Sequence, residues 1–277
     1  MKICVPLKTG DIKELKNQMQ EISENYSEKV SVIEIWLGEF FTESVIKNTT
    51  DVYAYADNLL TEIFEQRKNL NTYFSLLFTL KGEKEQGNFS GTVSDTKEIS
   101  RKIITKISEY SKHSKHTSNN IKNNPDYLDL DYNFDDDNLY EFFEEIKRTR
   151  NAQAIKNTDF QLILSAHFFE GTPSFPSLKN RTQLMQNRGA DIVKIAAMPH
   201  DEKDVLTIFR VAENFKRKDI SYIAISMGNI GKISRVLTPL WGGKMMFASL
   251  SSDNASASGQ MTIDELDSLF SIFAVGG

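Results

Sequence analysis

Eight short, β-rich apolar runs recur along the chain, separated by stretches with helical periodicity, and this alternation limits the fold more than any other feature of the sequence. The runs are KICVPL (2–7), VSVIEIWL (30–37), FSLLFTL (74–80), YLDLDY (127–132), QLILSAHF (161–168), DIVKIAA (191–197), ISYIAISM (220–227) and MMFASL (245–250). Amphipathic segments lie between them, including DIKELKNQMQEISENY, NLYEFFEEIKRTRNAQAI and DEKDVLTIFRVAENFKRK. Strands that alternate with helices pair in parallel, and eight such units close into a (β/α)8 TIM barrel, which needs about 250 residues. An open doubly wound sheet is the competing arrangement, but no Gly-rich GxGxxG turn follows the first run. The expectation is one barrel domain over residues 1–277, with a polar insertion at about 87–124. Within that insertion, EISRKIITKISEYSK reads as a helical stretch and HSKHTSNNIKNNP as a surface loop, and His113 and His116 lie in too polar a setting to suggest a metal site. Asp135, Asp136 and Asp137 read as a solvated helix start, where negative charge suits the helix dipole.

Composition narrows the function. With 277 residues, 40% of them hydrophobic, the chain can bury a large core. A net charge of -5 gives no support for a nucleic-acid partner. No leader pattern and no apolar run of membrane-spanning length stand out, so the expected location is cytoplasmic, with no membrane partner. Cys4 is the single cysteine, which excludes an internal disulfide and a cysteine-based zinc cluster.

The active site of a parallel barrel lies at the C-terminal ends of its strands, so polar residues at those ends are the candidates. They are Glu34, Lys81, Glu85, His167, Lys194, Arg235, Ser256 and Gln260. Lys194 is the most unusual, an amine inside the apolar run GADIVKIAAMP. Burial without a partner lowers the pKa of an amine, and a neutral amine can attack a ketone. Each residue also has an ordinary structural reading: Lys194 can snorkel, His167 can be held by backbone groups, and Arg235 can cap a helix. Together, an imidazole and an amine on adjacent strands with a carboxylate and a guanidinium nearby suggest acid–base and nucleophilic chemistry.

The motifs FTLKGEKEQG (78–87), LSAHFFEGTP (164–173), GADIVKIAAMP (189–199), ISMGNIGKISR (225–235) and ASASGQ (255–260) occur in that order. In these the chain resembles type I 3-dehydroquinate dehydratase, a Schiff-base enzyme family of the shikimate pathway, over essentially its whole length. The resemblance implies that Lys194 forms an imine with the ketone of 3-dehydroquinate and that His167 serves as general base and then acid. It further implies that Glu85 orients His167, that Arg235 binds the substrate carboxylate, that Ser256 and Gln260 add hydrogen bonds, and that Glu34 meets ring hydroxyls. No metal or organic cofactor is implied, and the assembly implied is a homodimer.

Four positions depart from the family pattern. The second strand ends Glu34-Ile35-Trp36-Leu37-Gly38 where E-x-R-x-D is usual, so Trp36 replaces an arginine and Gly38 an aspartate. Lys81 also replaces an arginine, keeping the charge but losing the bidentate fork, and Ser258 replaces a proline. Loss of a buried charged contact to a polar substrate costs on the order of 2–5 kcal/mol, so the expectation is weaker binding or a compensating arrangement. The altered ring also motivates two alternatives: a class I aldolase-type lyase on another small ketone, and a weakened barrel that only binds a small acid or a protein.

Overall fold

All eight apolar runs form strands, each within two residues of its expected bounds. In this computed structural model, which describes residues 2–113, 124–132, 137–152, 160–253 and 255–273, they are β1 (Ile3–Leu7), β2 (Val30–Trp36), β3 (Ser75–Thr79), β4 (Asp126–Asp131), β5 (Phe160–Phe168), β6 (Ile192–Ala197), β7 (Tyr222–Ser226) and β8 (Met246–Ser249). The helices are α1 (Ile12–Asn25), α2 (Glu43–Asn48), α3 (Val52–Asn69), α4 (Val93–His113), α5 (Asp137–Ala152), α6 (Phe175–Asn187), α7 (Glu202–Arg217), α8 (Ser234–Leu240) and α9 (Ile263–Phe273). A two-residue strand, β9 (Met261–Thr262), extends the sheet beside β8. Every ladder is parallel, in the order β7-β6-β5-β4-β3-β2-β1-β8-β9. The Lys244 N–H donates to the Tyr222 carbonyl at 2.9 Å, linking the approach to β8 with β7 across the remaining seam.

Two apolar layers follow from the period-2 alternation of strand side chains. The inner face contributes Cys4, Val32, Leu77, Tyr127, Ile163, Ile192, Ile223 and Phe247, one residue from each of the eight strands. The outer face packs against the helices in a second, larger core. This is the layout of a TIM barrel, whose interior is filled rather than hollow. The helices start where the sequence supplies caps. Asp11 accepts from the N–H groups of Lys13 and Glu14 at the start of α1, and Asp201 does the same for Lys203 and Asp204 at α7. Leu15, Met19 and Ile22 then fall on one buried stripe of α1.

The helical stretch expected within the insertion is present and longer than its motif. Val93–His113 is α4, with Ile99, Ile103 and Ile107 fully buried and the Tyr110 ring 4.7 Å from that of Phe64 on α3. It is the helix of the third βα unit, built on an isoleucine stripe that the surrounding lysines and serines obscure. His116, Asp135 and Asp136 lie outside the described residues. His113 ends α4 and Asp137 begins α5, with neither side chain described.

One buried ion pair ties this region together. Arg67, in the last turn of α3, reaches both carboxylate oxygens of Asp126 at 2.7 Å, and Asp126 also accepts the Leu76 N–H at 2.8 Å. The guanidinium lies 4.7 Å from the Phe64 ring centroid and 4.9 Å from that of Tyr73. Asp126→Ala strands this cation in the core and should cost about 3–5 kcal/mol in urea unfolding, whereas Arg67→Met with Asp126→Asn should recover most of that loss. Equal stability of the single and double variants would show that the pair itself is not what the core depends on.

Candidate active site

The same alternation that builds the barrel interior determines which polar side chains meet at its C-terminal mouth. On β2 the inward positions run Val32, Glu34, Trp36; on β4, Tyr127, Asp129, Asp131; on β5, Ile163, Ser165, His167; on β6, Ile192, Lys194, Ala196. Register supports this, with Ser165 opposite Lys194 and His167 opposite Ala196. Above the apolar layer Glu34, Trp36, His167, Lys194 and Ala196 line a cavity. All eight candidates, Glu34, Lys81, Glu85, His167, Lys194, Arg235, Ser256 and Gln260, are in its wall.

Lys194 does not snorkel. It is 3% exposed, its Nζ lies 2.7 Å from Asp129 Oδ2, and the Phe247 ring centroid is 5.0 Å away. Burial alone would lower its pKa, but Asp129 and, next, Glu34 outweigh that and raise it above the ordinary lysine value. The expected lowered pKa is therefore overturned: in the unliganded site the amine is a cation. Asp129 agrees with this assignment, since Lys194 and Lys81 hold its carboxyl below the usual range despite burial that would raise it.

His167 is the neutral member. Burial, then the cations Lys194 and Lys81, push its pKa down to about 3, so the ring is unprotonated at neutral pH. Its Nδ1 lies 3.2 Å from Glu85 Oε1, and the Phe169 ring stacks beside it at 6.0 Å between centroids. Burial raises the Glu85 carboxyl to about 7. Glu85 is delivered by the loop after β3, where the Glu85 N–H and the Gly87 N–H both donate to the Gly82 carbonyl. Glu85, Asp131 and His167 each bring one ligand-capable atom within 4.8 Å of the others, and among the described residues this is the group that could hold a metal ion. A cation there would occupy the imidazole.

Arg235 and the loop after β8 form the opposite wall. Ser234, just before Arg235, accepts the Ser226 N–H at 2.8 Å and donates to the Gly231 carbonyl at 2.7 Å. A side chain at Gly231 would come within 2.3 Å of the Ser226 carbonyl oxygen, which explains the second glycine of MGNIGKISR. So anchored, Arg235 is 4% exposed and donates to the Ser258 carbonyl at 3.0 Å. Serine for proline at 258 leaves this contact intact, because only the carbonyl is used. Burial lowers Arg235 to about 10, still a cation at neutral pH. Gln260 Oε1 accepts from both the backbone N–H and the hydroxyl of Ser256, at 2.8 and 3.0 Å.

The second-strand departures are linked. Trp36 is 4% exposed and lines the cavity, with Lys81 Nζ 4.2 Å and Lys8 Nζ 4.7 Å from its ring centroid. Lys81 also stands 3.5 Å from Glu34 Oε1. A Cβ on Gly38 would lie 2.8 Å from Phe89 Cβ and 3.0 Å from the Lys81 carbonyl, so the loop after β3 occupies the space an aspartate would need. Asp129 is the important residue the sequence reading passed over. Its signal was present: on YLDLDY the inward register selects Tyr127, Asp129 and Asp131, but no candidate was taken from the fourth run.

Fold and cavity together define the class, a (β/α)8-barrel enzyme with its reactive groups at the C-terminal mouth. A sequence model of the family described as Type I 3-dehydroquinase matches residues 3–276. A 3-dehydroquinate dehydratase of Lactococcus lactis subsp. lactis is 29% identical over 275 residues, covering 98% of this chain and 97% of that protein. Among solved structures, type I 3-dehydroquinate dehydratase from Clostridium difficile, crystallised with covalently modified comenic acid, superposes with a TM-score of 0.72 at 24% identity, over 98% of this chain and 91% of that one. The enzyme from Geobacillus kaustophilus superposes with a TM-score of 0.71 at 23% identity, over 99% and 91%. The chain belongs to the type I 3-dehydroquinase family.

Asp129→Asn removes the counter-charge of Lys194 and leaves burial to act, so the pKa of Lys194 should fall. Reductive methylation of Lys194 followed against pH by mass spectrometry reads this directly, and an unchanged midpoint would show that Asp129 does not set the charge on the amine.

Proposed function

We propose that this protein dehydrates 3-dehydroquinate to 3-dehydroshikimate by syn elimination, through an imine on Lys194, as a hydro-lyase of the shikimate pathway. The observation that carries the reading is the joint placement of Lys194, neutral His167 and Arg235 around one cavity. Arg235 is the wall cation that no carboxylate pairs among the described contacts, which suits a ligand with one carboxylate.

The chemistry follows from the protonation states. The Lys194 ammonium first gives up a proton, for which Asp129 at 2.7 Å is the adjacent acceptor. The freed Nζ attacks the ketone carbon, and loss of the carbonyl oxygen as water leaves a protonated imine. That group draws electrons from the adjacent carbon, so the neutral imidazole of His167 can take its proton and leave an enamine. The β-hydroxyl then departs with the proton His167 carries, as water, and hydrolysis of the conjugated imine releases product and restores Lys194. Glu85 beside Nδ1 favours the imidazolium when ionised. Ser256 and Gln260 hold the substrate from the β8 side, and Glu34 with Lys81 meets ring hydroxyls. The residues themselves supply every proton transfer, so the reading includes no cofactor.

A cytoplasmic homodimer belongs to the same reading. A second reading, an aldolase-type lyase acting on another small ketone, is favoured by Trp36 and Lys81 in the substrate ring. Turnover across a panel of small ketones separates the two, since selective use of dehydroquinate excludes the second.

Borohydride added during turnover should reduce the imine and leave a ligand-sized mass increment on Lys194. Folded, substrate-exposed protein without that adduct sinks the imine mechanism. Lys194→Ala should abolish both adduct and turnover, while His167→Ala should retain the adduct. The pH profile carries a sign. Glu85 is protonated below about 7 and ionised above it, and its negative charge strengthens the adjacent base, so kcat should rise with pH through about 7. Glu85→Gln should remove that limb and lower kcat on the order of tenfold to a hundredfold. A limb that persists in Glu85→Gln assigns the titration to another group.

A further inference from the structure

Trp36 has three properties that a mere packing residue does not need in combination. It occupies the last inward position of β2, two residues beyond Glu34, so the barrel alternation itself turns it toward the cavity it lines. Its indole Nε1 is buried and has no hydrogen-bond partner among the described residues. Its ring is also held rigidly. Lys81 and Lys8 approach it as cations at 4.2 and 4.7 Å, Lys8 is further fixed by donating to the Gln86 carbonyl at 2.6 Å, and Lys81 is drawn toward Glu34 at 3.5 Å. Burying a donor with nothing to receive its hydrogen is unfavourable, and the unfavourable term disappears when a ligand supplies an acceptor.

We propose that Trp36 is a specificity-determining residue of the reaction proposed above: its N–H donates a hydrogen bond to a hydroxyl oxygen on the substrate ring, next to the edge faced by Glu34 and Lys81. The inference rests on that reaction. An indole offers one directional donor and no charge, where a guanidinium would offer a forked cation. With Lys81 offset by Glu34 and Lys194 by Asp129, Arg235 is the cation of the wall left for an anion. The wall accordingly offers one unoffset cation to a single carboxylate of the substrate, and the Trp36 edge offers a neutral donor to a hydroxyl. The exclusion of a side chain at Gly38 by Phe89 fits this arrangement, since it leaves no acidic partner beside the indole.

Trp36→Phe keeps an aromatic wall and removes the donor. KM for 3-dehydroquinate should rise about five- to tenfold, the worth of one hydrogen bond, with kcat changed less than about threefold and the borohydride adduct on Lys194 intact at saturating substrate. An unchanged KM overturns the proposal. A large fall in kcat at unchanged KM does so too, because it would make Trp36 a support for the reacting groups rather than for the substrate. An unaltered protein that gives neither turnover nor adduct overturns the dehydration reading itself, which is a distinguishable result. If Trp36→Phe does not fold, Trp241→Phe supplies the test, because the sequence holds two tryptophans and Trp36 is then the sole emitter. Titration with 3-dehydroquinate should shift its emission with a midpoint matching KM, and silent emission at saturating substrate counts against the contact.

Discussion

The Lys194–Asp129 ion pair is the interaction on which the site depends. Both groups are almost wholly buried, and neither charge could remain there alone, since the desolvation of one ion is tolerated only because the other is in contact with it. The pair spans β4 and β6, on either side of the strand that carries His167. Burial and then its cation keep the imidazole unprotonated, and its anion keeps the amine charged. One contact thus bears on the protonation states of both groups. The amine stands as a cation beside a carboxylate, rather than neutral through burial.

Around that pair the barrel distributes charge in nearly cancelling couples. Glu34 faces Lys81, Asp129 faces Lys194, and burial leaves Glu85 only partly ionised near neutral pH. Arg235 is held by a backbone carbonyl instead of a carboxylate. A cavity with this balance attracts a single anionic group to a defined place and leaves the remaining ligand surface to hydrogen bonding. The replacements on β2 keep within this balance. Trp36 supplies a rigid wall where an arginine is usual, and Gly38 gives its space to Phe89 from the next loop.

Much of the architecture was legible in the chain because strands buried on both faces are apolar runs of recognisable length, and caps such as Asp11 and Asp201 mark where helices begin. The candidate residues were legible for a related reason. Reactive groups of a barrel sit at strand ends, so reading those ends collected eight side chains that prove to line one cavity. The reading was less successful where polarity concealed structure. α4 was read as a helical stretch but left within a polar insertion, because its isoleucine stripe is diluted by lysines and serines, and its packing against α3 makes it the helix of the third βα unit.

By itself, then, the sequence determined the order of strands and helices, the types of chemical group available and the strand ends that carry them, because periodicity and residue type are local properties of the chain. The tertiary structure decided the charge state of those groups. Asp129 and Lys194 are 65 residues apart in sequence and 2.7 Å apart in space. Whether a buried lysine is a cation or a free amine depends on that distance, on its partner and on the exclusion of water, none of which exists until the barrel closes.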